Sequence, residues 1–444
     1  MCEEPTVDEH AARNINLGTF IDSVATTALE EQRIAGLSVA VAQAGRVVHA
    51  SGYGYSDVER QIFASADTVY GIGSLTKAFT AAAVIRLVER QAINLDERLA
   101  EYLVAPDLTL PVTVRHLLNH TSGLKGEADL DMFQRPTTDV TVGREDLPNI
   151  LRDDLFDARP GHAWRYSNFG YVILGFVLER VTGRAYRDLI QELVLDPARL
   201  GSTWYGPPAV PDARLAKGYT DEGGRFCTVA MPMPEQTFSS GALYATVADL
   251  VAWQLALLDG LVVSRSGYAQ MINPYTLNDG SPLGYGFGCF VTSLGGHGEI
   301  SHDGTSGGYS SQLASYPDDQ LIVAVLTNSE SHEAERIEKR IARHVLGVEK
   351  PSTHDLSVGQ GALTVYEGTY LHRGQRIPVY IDSDSLMAET PGKKTVRLIY
   401  QGDHAFAQDG DPAVRFEFTV HSTRADGFVV RREGKTLATL RRAP

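Results

Sequence analysis

Runs of β-branched residues stand at both ends of a long helical stretch, and this arrangement constrains the fold more than any other feature of the chain. Near the N-terminus, Leu37 to Ala42 and Arg46 to Ala50 flank the turn residues Ala44 and Gly45 and read as a hairpin, preceded by an amphipathic helix from about 16 to 33. Strand patterns return only with "YGFGCFVTSL" (285–294), "GGYSSQLASYP" (307–317) and "LIVAVLTNS" (321–329). Between them, residues from about 71 to 280 form helical patches joined by loops rich in Pro and Gly. Two are clear: "YVILGFVLERVTG", stopped by Gly183, and "TVADLVAWQLALLDG", where Thr246 and Asp249 can form a capping pair and Gly260 closes the run. The chain ends must therefore meet in one sheet, with the helical middle packed against it.

After the helical "HEAERIEKRIARHVLG", the segment "VEKPSTHDLSVGQGA" is polar and carries Pro, Ser and Gly, which marks a linker. Short alternating segments spaced by turns then run to the end, among them "IPVYIDS", "TVRLIYQ" and "VRFEFTV", and predict a small antiparallel barrel or sandwich. The expected layout is a mixed α/β (α+β) domain over 16–347, a linker over 348–361 and an all-β domain over 362–444.

A chain of 444 residues supports more than one core, and 43% hydrophobic against 21% charged residues is a globular composition. With 55 acidic against 40 basic residues, the net charge of −15 argues against nucleic acid or an anionic membrane as the main partner. No run reaches the roughly 18 uninterrupted apolar residues that span a bilayer. The acidic, polar N-terminus lacks the pattern of a secretory signal, so a cytoplasmic protein is expected. Cys2 follows the initiator Met, the place of a lipid-bearing cysteine where a leader has been removed. Cys2, Cys227 and Cys289 are far apart, fit neither metal nor disulfide spacing, and read as ordinary thiols.

Three short stretches carry chemistry. In "VYGIGSLTKAFTAAAVIRLVE" (69–89), Ser74 and Lys77 fall on one face at the start of an apolar helix. A lysine drawn into such a site pairs or loses its proton, and a neutral amine beside a serine hydroxyl is a base that makes a nucleophile. The plainer alternative makes Ser74 an N-cap and Lys77 a solvated first-turn residue. In "RYSNFGYVILG", Tyr166 and Asn168 precede a helix and can present a phenol and an amide, or pack and cap. In "ISHDGTSGGYSSQLASYP", His302, Asp303 and Gly304 open a strand. The histidine can lend a proton or a positive charge, and the N–H of Thr305 can face an oxyanion together with that of Ser74. Alternatively, the histidine is structural and the glycines serve a hairpin.

Together, Ser74-x-x-Lys77, Tyr166-x-Asn168 and His302-x-Gly304 resemble the three ordered motifs of the serine β-lactamase and penicillin-binding-protein superfamily. Histidine opening the third motif, with "LLNHTSGL" (117–124), "YSNFGYVILGFVLERVTG" and "SSGALYATVADLVAWQLALL", resembles its class C-like branch of esterases, D-amino-acid peptidases and carboxypeptidases. The terminal β-rich segment looks like the lipocalin-like domain of some members.

The resemblance implies a Ser74 acyl-enzyme, with Lys77 and Tyr166 managing the proton, His302 lending a proton or charge, and Asn168 holding the lysine or the substrate amide. It also implies an oxyanion hole from the N–H groups of Ser74 and Thr305, with Asp303 and Gly304 beside the substrate and His120 as scaffold. No cofactor or metal is needed. The expected substrate is a small molecule, ester or peptide, and the expected activity a serine hydrolase or acyl transferase. One alternative is a penicillin-binding-protein-type thioesterase that takes a peptidyl thioester from a carrier protein and cyclises it; another is a catalytically silent scaffold.

Overall fold

The computed structural model describes residues 7–443 apart from 106–107, 126–150, 212–213, 332, 354–355, 357–359, 373–374, 390–394, 422 and 433–434. Strands β1 (Gly36–Gln43) and β2 (Arg46–Asp57) form the expected hairpin, with β3 (Ile62–Phe63) at the edge. Short strands follow in β4 (Tyr70–Gly71), β5 (Thr203–Tyr205), β6 (Tyr219–Glu222), β7 (Arg225–Thr228) and β8 (Leu243–Ala245). Then β9 (Phe290–Leu294), β10 (His297–Ser306), β11 (Tyr309–Tyr316) and β12 (Leu321–Thr327) complete a seven-stranded sheet in the order β3-β2-β1-β12-β11-β10-β9. The joint between chain ends is the antiparallel pairing of β1 with β12, Ala40 opposite Ala324.

Both strands are buried along nearly their whole length, because helices cover both faces. Ala40, Ala42, Ile322, Ala324 and Leu326 enter the large core shared with the helical middle, while Val39, Val41, Val323 and Val325 alternate onto the other face. The helices α1 (Val7–Glu31) and α2 (Thr76–Glu89) are followed by α3 (Asn168–Thr182), α4 (Pro234–Gly241), α5 (Val247–Leu258) and α6 (Glu333–Leu346). Helix α3 ends where Gly183 takes φ 69°, and Thr246 caps α5 by accepting from the Asp249 N–H. Asp249 does not reach back to complete a capping pair; its carboxylate accepts instead from Ser202 N–H and Thr203 Oγ1.

Two strand expectations need correction. "YGFGCFVTSL" is extended only from Phe290. Its first residues form a loop in which a Cβ at Gly286 would lie 2.1 Å from the Met271 carbonyl oxygen, and one at Gly288 2.8 Å from the Ala78 nitrogen. Nor does His302 open a strand: β10 begins at His297 and His302 pairs with Leu313 well inside it.

The chain divides into two compact units, Met1–Val291 with His297–Gly347, and Thr292–Gly296 with Val348–Pro444. In the second, β13 (Gly368–His372), β14 (Gln375–Asp382), β15 (Ser385–Glu389), β16 (Thr395–Gly402), β17 (Ala405–Gln408), β18 (Asp411–His421), β19 (Arg424–Arg432) and β20 (Lys435–Arg442) close into a barrel in sequence order. Aromatic rings fill its middle: Phe418 lies 4.7 Å from Phe428 and 5.6 Å from Phe406 between ring centroids, and Tyr366 closes over Phe406 at 4.9 Å.

Candidate active site

Between β4 and α2 the chain makes a single 3-10 turn, Gly73–Leu75, which carries Ser74 half-buried at its centre. Gly73 holds φ 49°, a conformation L side chains rarely adopt, and a Cβ there would lie 3.0 Å from the Thr305 nitrogen. Ser74 is not a cap: Ile72 and Leu75 occupy the cap positions, neither with a side-chain capping bond. Helix α2 is anchored by Phe79 stacking on Trp253, 4.1 Å between centroids and 14° from parallel.

In the first turn of α2, Lys77 is fully buried. Its Nζ lies 2.9 Å from Ser74 Oγ, 2.7 Å from Asn168 Oδ1 and 2.9 Å from the Ser240 carbonyl oxygen. None of these three groups carries a charge. The amide and the carbonyl oxygen can only accept, whereas the hydroxyl can accept or donate. An ammonium would donate to all three, and a neutral amine would donate to Asn168 and Ser240 while accepting from Ser74. The cage therefore holds the amine in both protonation states without changing partners.

Each partner is placed by local structure. Ser167, not Asn168, caps α3 by accepting from the Gly170 N–H at 3.0 Å, which leaves the Asn168 amide to reach Lys77. Ser240 lies in α4 beyond Phe238, whose φ 39°, ψ −128° breaks the helix. That kink aims successive carbonyls at α2, Ser239 at Thr80 Oγ1 (2.6 Å) and Ser240 at Lys77. The strained backbone is held by the Phe238 ring against Phe176 and Tyr186, at 5.1 and 5.0 Å.

Tyr166 joins this group, with Lys77 Nζ 4.9 Å from its ring centroid and the His120 ring 4.4 Å away. The loop bearing Tyr166 is tied to the "NHTS" turn by Arg165 N–H to the His120 carbonyl (2.8 Å) and Gly161 N–H to the Thr121 carbonyl (2.8 Å). His120, at φ 61°, also turns its ring inward, and its Nδ1 takes the Ser167 N–H at 3.2 Å. This is the scaffold position expected for it.

On the sheet side, a Cβ at Gly304 would lie 2.2 Å from the Ile72 carbonyl oxygen and 2.9 Å from the Ser74 nitrogen, so only glycine lets β10 lie against the Ser74 turn. Ser306 and Tyr309 flank the two-residue turn Gly307–Gly308. The next pair, Thr305 with Ser310, is thus of the type that exchanges no main-chain bonds, and the Thr305 N–H turns away from β11 toward the Ser74 turn. The Ser74 and Thr305 nitrogens lie on the two sides of this close approach, 2.9 Å from a Cβ at Gly304 and 3.0 Å from a Cβ at Gly73. His302 is buried beside it, 6.1 Å from Tyr166 between ring centroids. Both its nitrogens have protein partners: Nε2 lies 3.0 Å from Tyr285 Oη and Nδ1 2.6 Å from the carbonyl oxygen of Asp303.

Of the residues singled out from the sequence, Lys77 contacts Ser74, Asn168 and the Tyr166 ring lie on Lys77, Gly304 and Thr305 lie against the Ser74 turn, and His302 lies beyond the Tyr166 ring with its Nδ1 on the Asp303 carbonyl. Sequence reasoning passed over three contributors. Ser240 acts through a main-chain oxygen that no side-chain pattern reveals, Gly288 packs against the Lys77 turn, and Tyr285 was read as part of a strand. The closely spaced glycines of "YGFG" were the available signal for the last two.

Among the described residues, no group of three metal-ligating side chains occurs, and no helix is long and apolar enough to cross a membrane. Cys289 is buried and its thiol is pushed up to about 12 by desolvation. Cys2 and residues 126–150 lie outside the described residues.

Comparison with known proteins adds the family. The pattern described as Beta-lactamase matches residues 21–347. Penicillin-binding protein 4* of Bacillus subtilis (strain 168) is 25% identical over 421 residues, covering 89% of this chain and 93% of that protein. The octameric penicillin-binding protein homologue from Pyrococcus abyssi superposes with a TM-score of 0.69 at 26% identity, over 95% of this chain and 98% of that one. The D-amino acid amidase from Ochrobactrum anthropi SV3 gives 0.65 at 24% identity, over 75% of this chain and 99% of that one, a likeness of fold.

Proposed function

The chain belongs to the beta-lactamase family, and from that premise we propose that it is a serine hydrolase forming an acyl-enzyme at Ser74 from an amide or ester. The observation that carries this reading is the cage around Lys77, a buried amine held 2.9 Å from Ser74 Oγ by two accept-only groups. As the hydroxyl attacks the acyl carbonyl, its proton passes to Lys77 Nζ, which already faces it. Tyr166, with its ring against the same amine, shares that proton and returns it to the leaving group. The oxyanion lies between the N–H groups of Ser74 and Thr305; losing one such donor costs about 10²- to 10³-fold in kcat. Asn168 holds the lysine. Water then attacks the ester and the same groups work in reverse.

The test is to mix the protein and its Ser74→Ala variant with activated acyl donors, including esters of D- and L-amino acids and a peptidyl thioester, and to follow intact mass and products. A Ser74-dependent adduct that resolves to free acid is expected. A cyclic product would transfer the reading to a peptidyl thioester cyclase, and turnover retained by a folded Ser74→Ala variant would overturn it.

A further inference from the structure

Behind Tyr166 a chain of hydrogen bonds runs through three buried rings, and its two ends fix the direction of every bond in it. At one end the Ser167 main-chain N–H can only donate, so His120 Nδ1 accepts at 3.2 Å. Burial holds the His120 imidazole well below its usual value. It therefore keeps a single proton, on Nε2, which lies 3.2 Å from Tyr285 Oη. At the other end the carbonyl oxygen of Asp303 can only accept, so the proton of His302 sits on Nδ1, 2.6 Å away. Between them, Tyr285 Oη accepts from His120 and donates to His302 Nε2 at 3.0 Å. Desolvation holds the Tyr285 phenol well above its usual value, so it retains that proton.

We infer that Tyr285 and His120 are positioning residues that hold His302 as the neutral Nδ1–H tautomer, so that β10 offers the substrate an uncharged ring instead of a cation. Protonating His302 would place a second N–H on the Tyr285 oxygen and turn that phenol's own proton out of the chain. The surroundings oppose a further charge. Lys77 lies against Tyr166 and Tyr171, and Tyr166, Phe290 and Tyr285 enclose the imidazole. The other titratable groups facing Tyr285 are Tyr171, Cys289 and Asp303, and the first two are buried phenol and thiol held protonated. The consequence for catalysis rests on the acyl-enzyme reading: proton transfer stays with Lys77 and Tyr166, and acyl donors without a carboxylate beside the scissile bond are preferred.

The test separates the two readings because its first readout needs no turnover. Long-range 15N–1H spectra of the imidazoles, with the His302 signal assigned by its loss in His302→Gln, are recorded from about pH 5.5 to 8.5. The expected result is an unchanging neutral Nδ1–H His302. In Tyr285→Phe, which removes only the hydroxyl, His302 is expected to titrate near the ordinary imidazole value of about 6.5, and kcat/KM to fall roughly tenfold from its plateau by pH 5.5. A charged or Nε2–H His302 in the unaltered protein, or a Tyr285→Phe spectrum that does not titrate, would overturn the inference. Should Tyr285→Phe not fold, the spectrum of the unaltered protein decides alone.

Discussion

Asn168 shows how little side chain a residue needs to matter here. Its amide is exposed, is free of the capping duty that Ser167 performs, and supplies one of the two accept-only oxygens that hold Lys77. Replacing it with Leu should lower stability by about 1–3 kcal/mol, because the exposed position loses little packing but fully buried Lys77 is left one acceptor short. It should lower kcat about 10²-fold, since hydrogen bonds to a group that carries charge in the reaction are worth about 1.5–3 kcal/mol. Parallel melting curves and acylation rates check this, and a rate within threefold of the parent would rule out a holding role. The identity of Asn168 and its spacing from Tyr166 were legible in the sequence. Its freedom from capping was not, because Ser167 and Asn168 are both good cap residues and only the backbone angles choose between them.

At the scale of elements, the site is a three-way contact: the Ser74 turn, the start of α3 and the end of β10. Gly304 is the hinge of that contact. Gly304→Ala would force a methyl group to 2.2 Å from the Ile72 oxygen and 2.5 Å from Ser311 Oγ. The strand must then move off the turn, at about 1–3 kcal/mol in stability. The two N–H donors separate with it, so acylation should fall by 10²-fold or more while far-UV circular dichroism stays unchanged. Stability and rate both equal to the parent would mean that β10 does not lie against Ser74. The sequence marked this strand by its motif but misplaced its start. Residues 297–301 are polar or short of the alternation that signals a strand, and they pair because the sheet edge is there to receive them.

Across the whole molecule, a buried carboxyl on the far face of the seven-stranded sheet makes stability depend on pH. Glu338 of α6 is fully buried, accepts from Tyr316 Oη at 2.9 Å and shares Lys339 with Glu299. Desolvation is the main reason its carboxyl rises from 4.5 to about 7. The folded protein keeps a proton that the unfolded chain has released, so the contribution of Glu338 to stability is full below about pH 4.5 and is lost as pH rises toward 7, by about 3 kcal/mol. Glu338→Gln should remove that slope in denaturant unfolding measured across the interval; parallel slopes for both proteins would refute the assignment. No sequence pattern pointed to this residue, since an acid in "HEAERIEKRIARHVLG" looks like solvated helix surface until α6 is seen lying on β11 and β12.

The division between what was legible and what was not follows from range. The sequence by itself determined the elements that answer to local periodicity, the hairpin of β1 and β2, the glycine stop of α3, the Thr246 cap of α5 and the alternating strands of the terminal barrel. It also carried the motifs of the side chains proposed to react, because each motif is only a few residues long. Tertiary structure alone decided which carbonyl faces Lys77, which groups meet the two nitrogens of His302 and which glutamate loses its water. Those properties belong to pairs of atoms brought together from distant parts of the chain, and burial gives such pairs their strength.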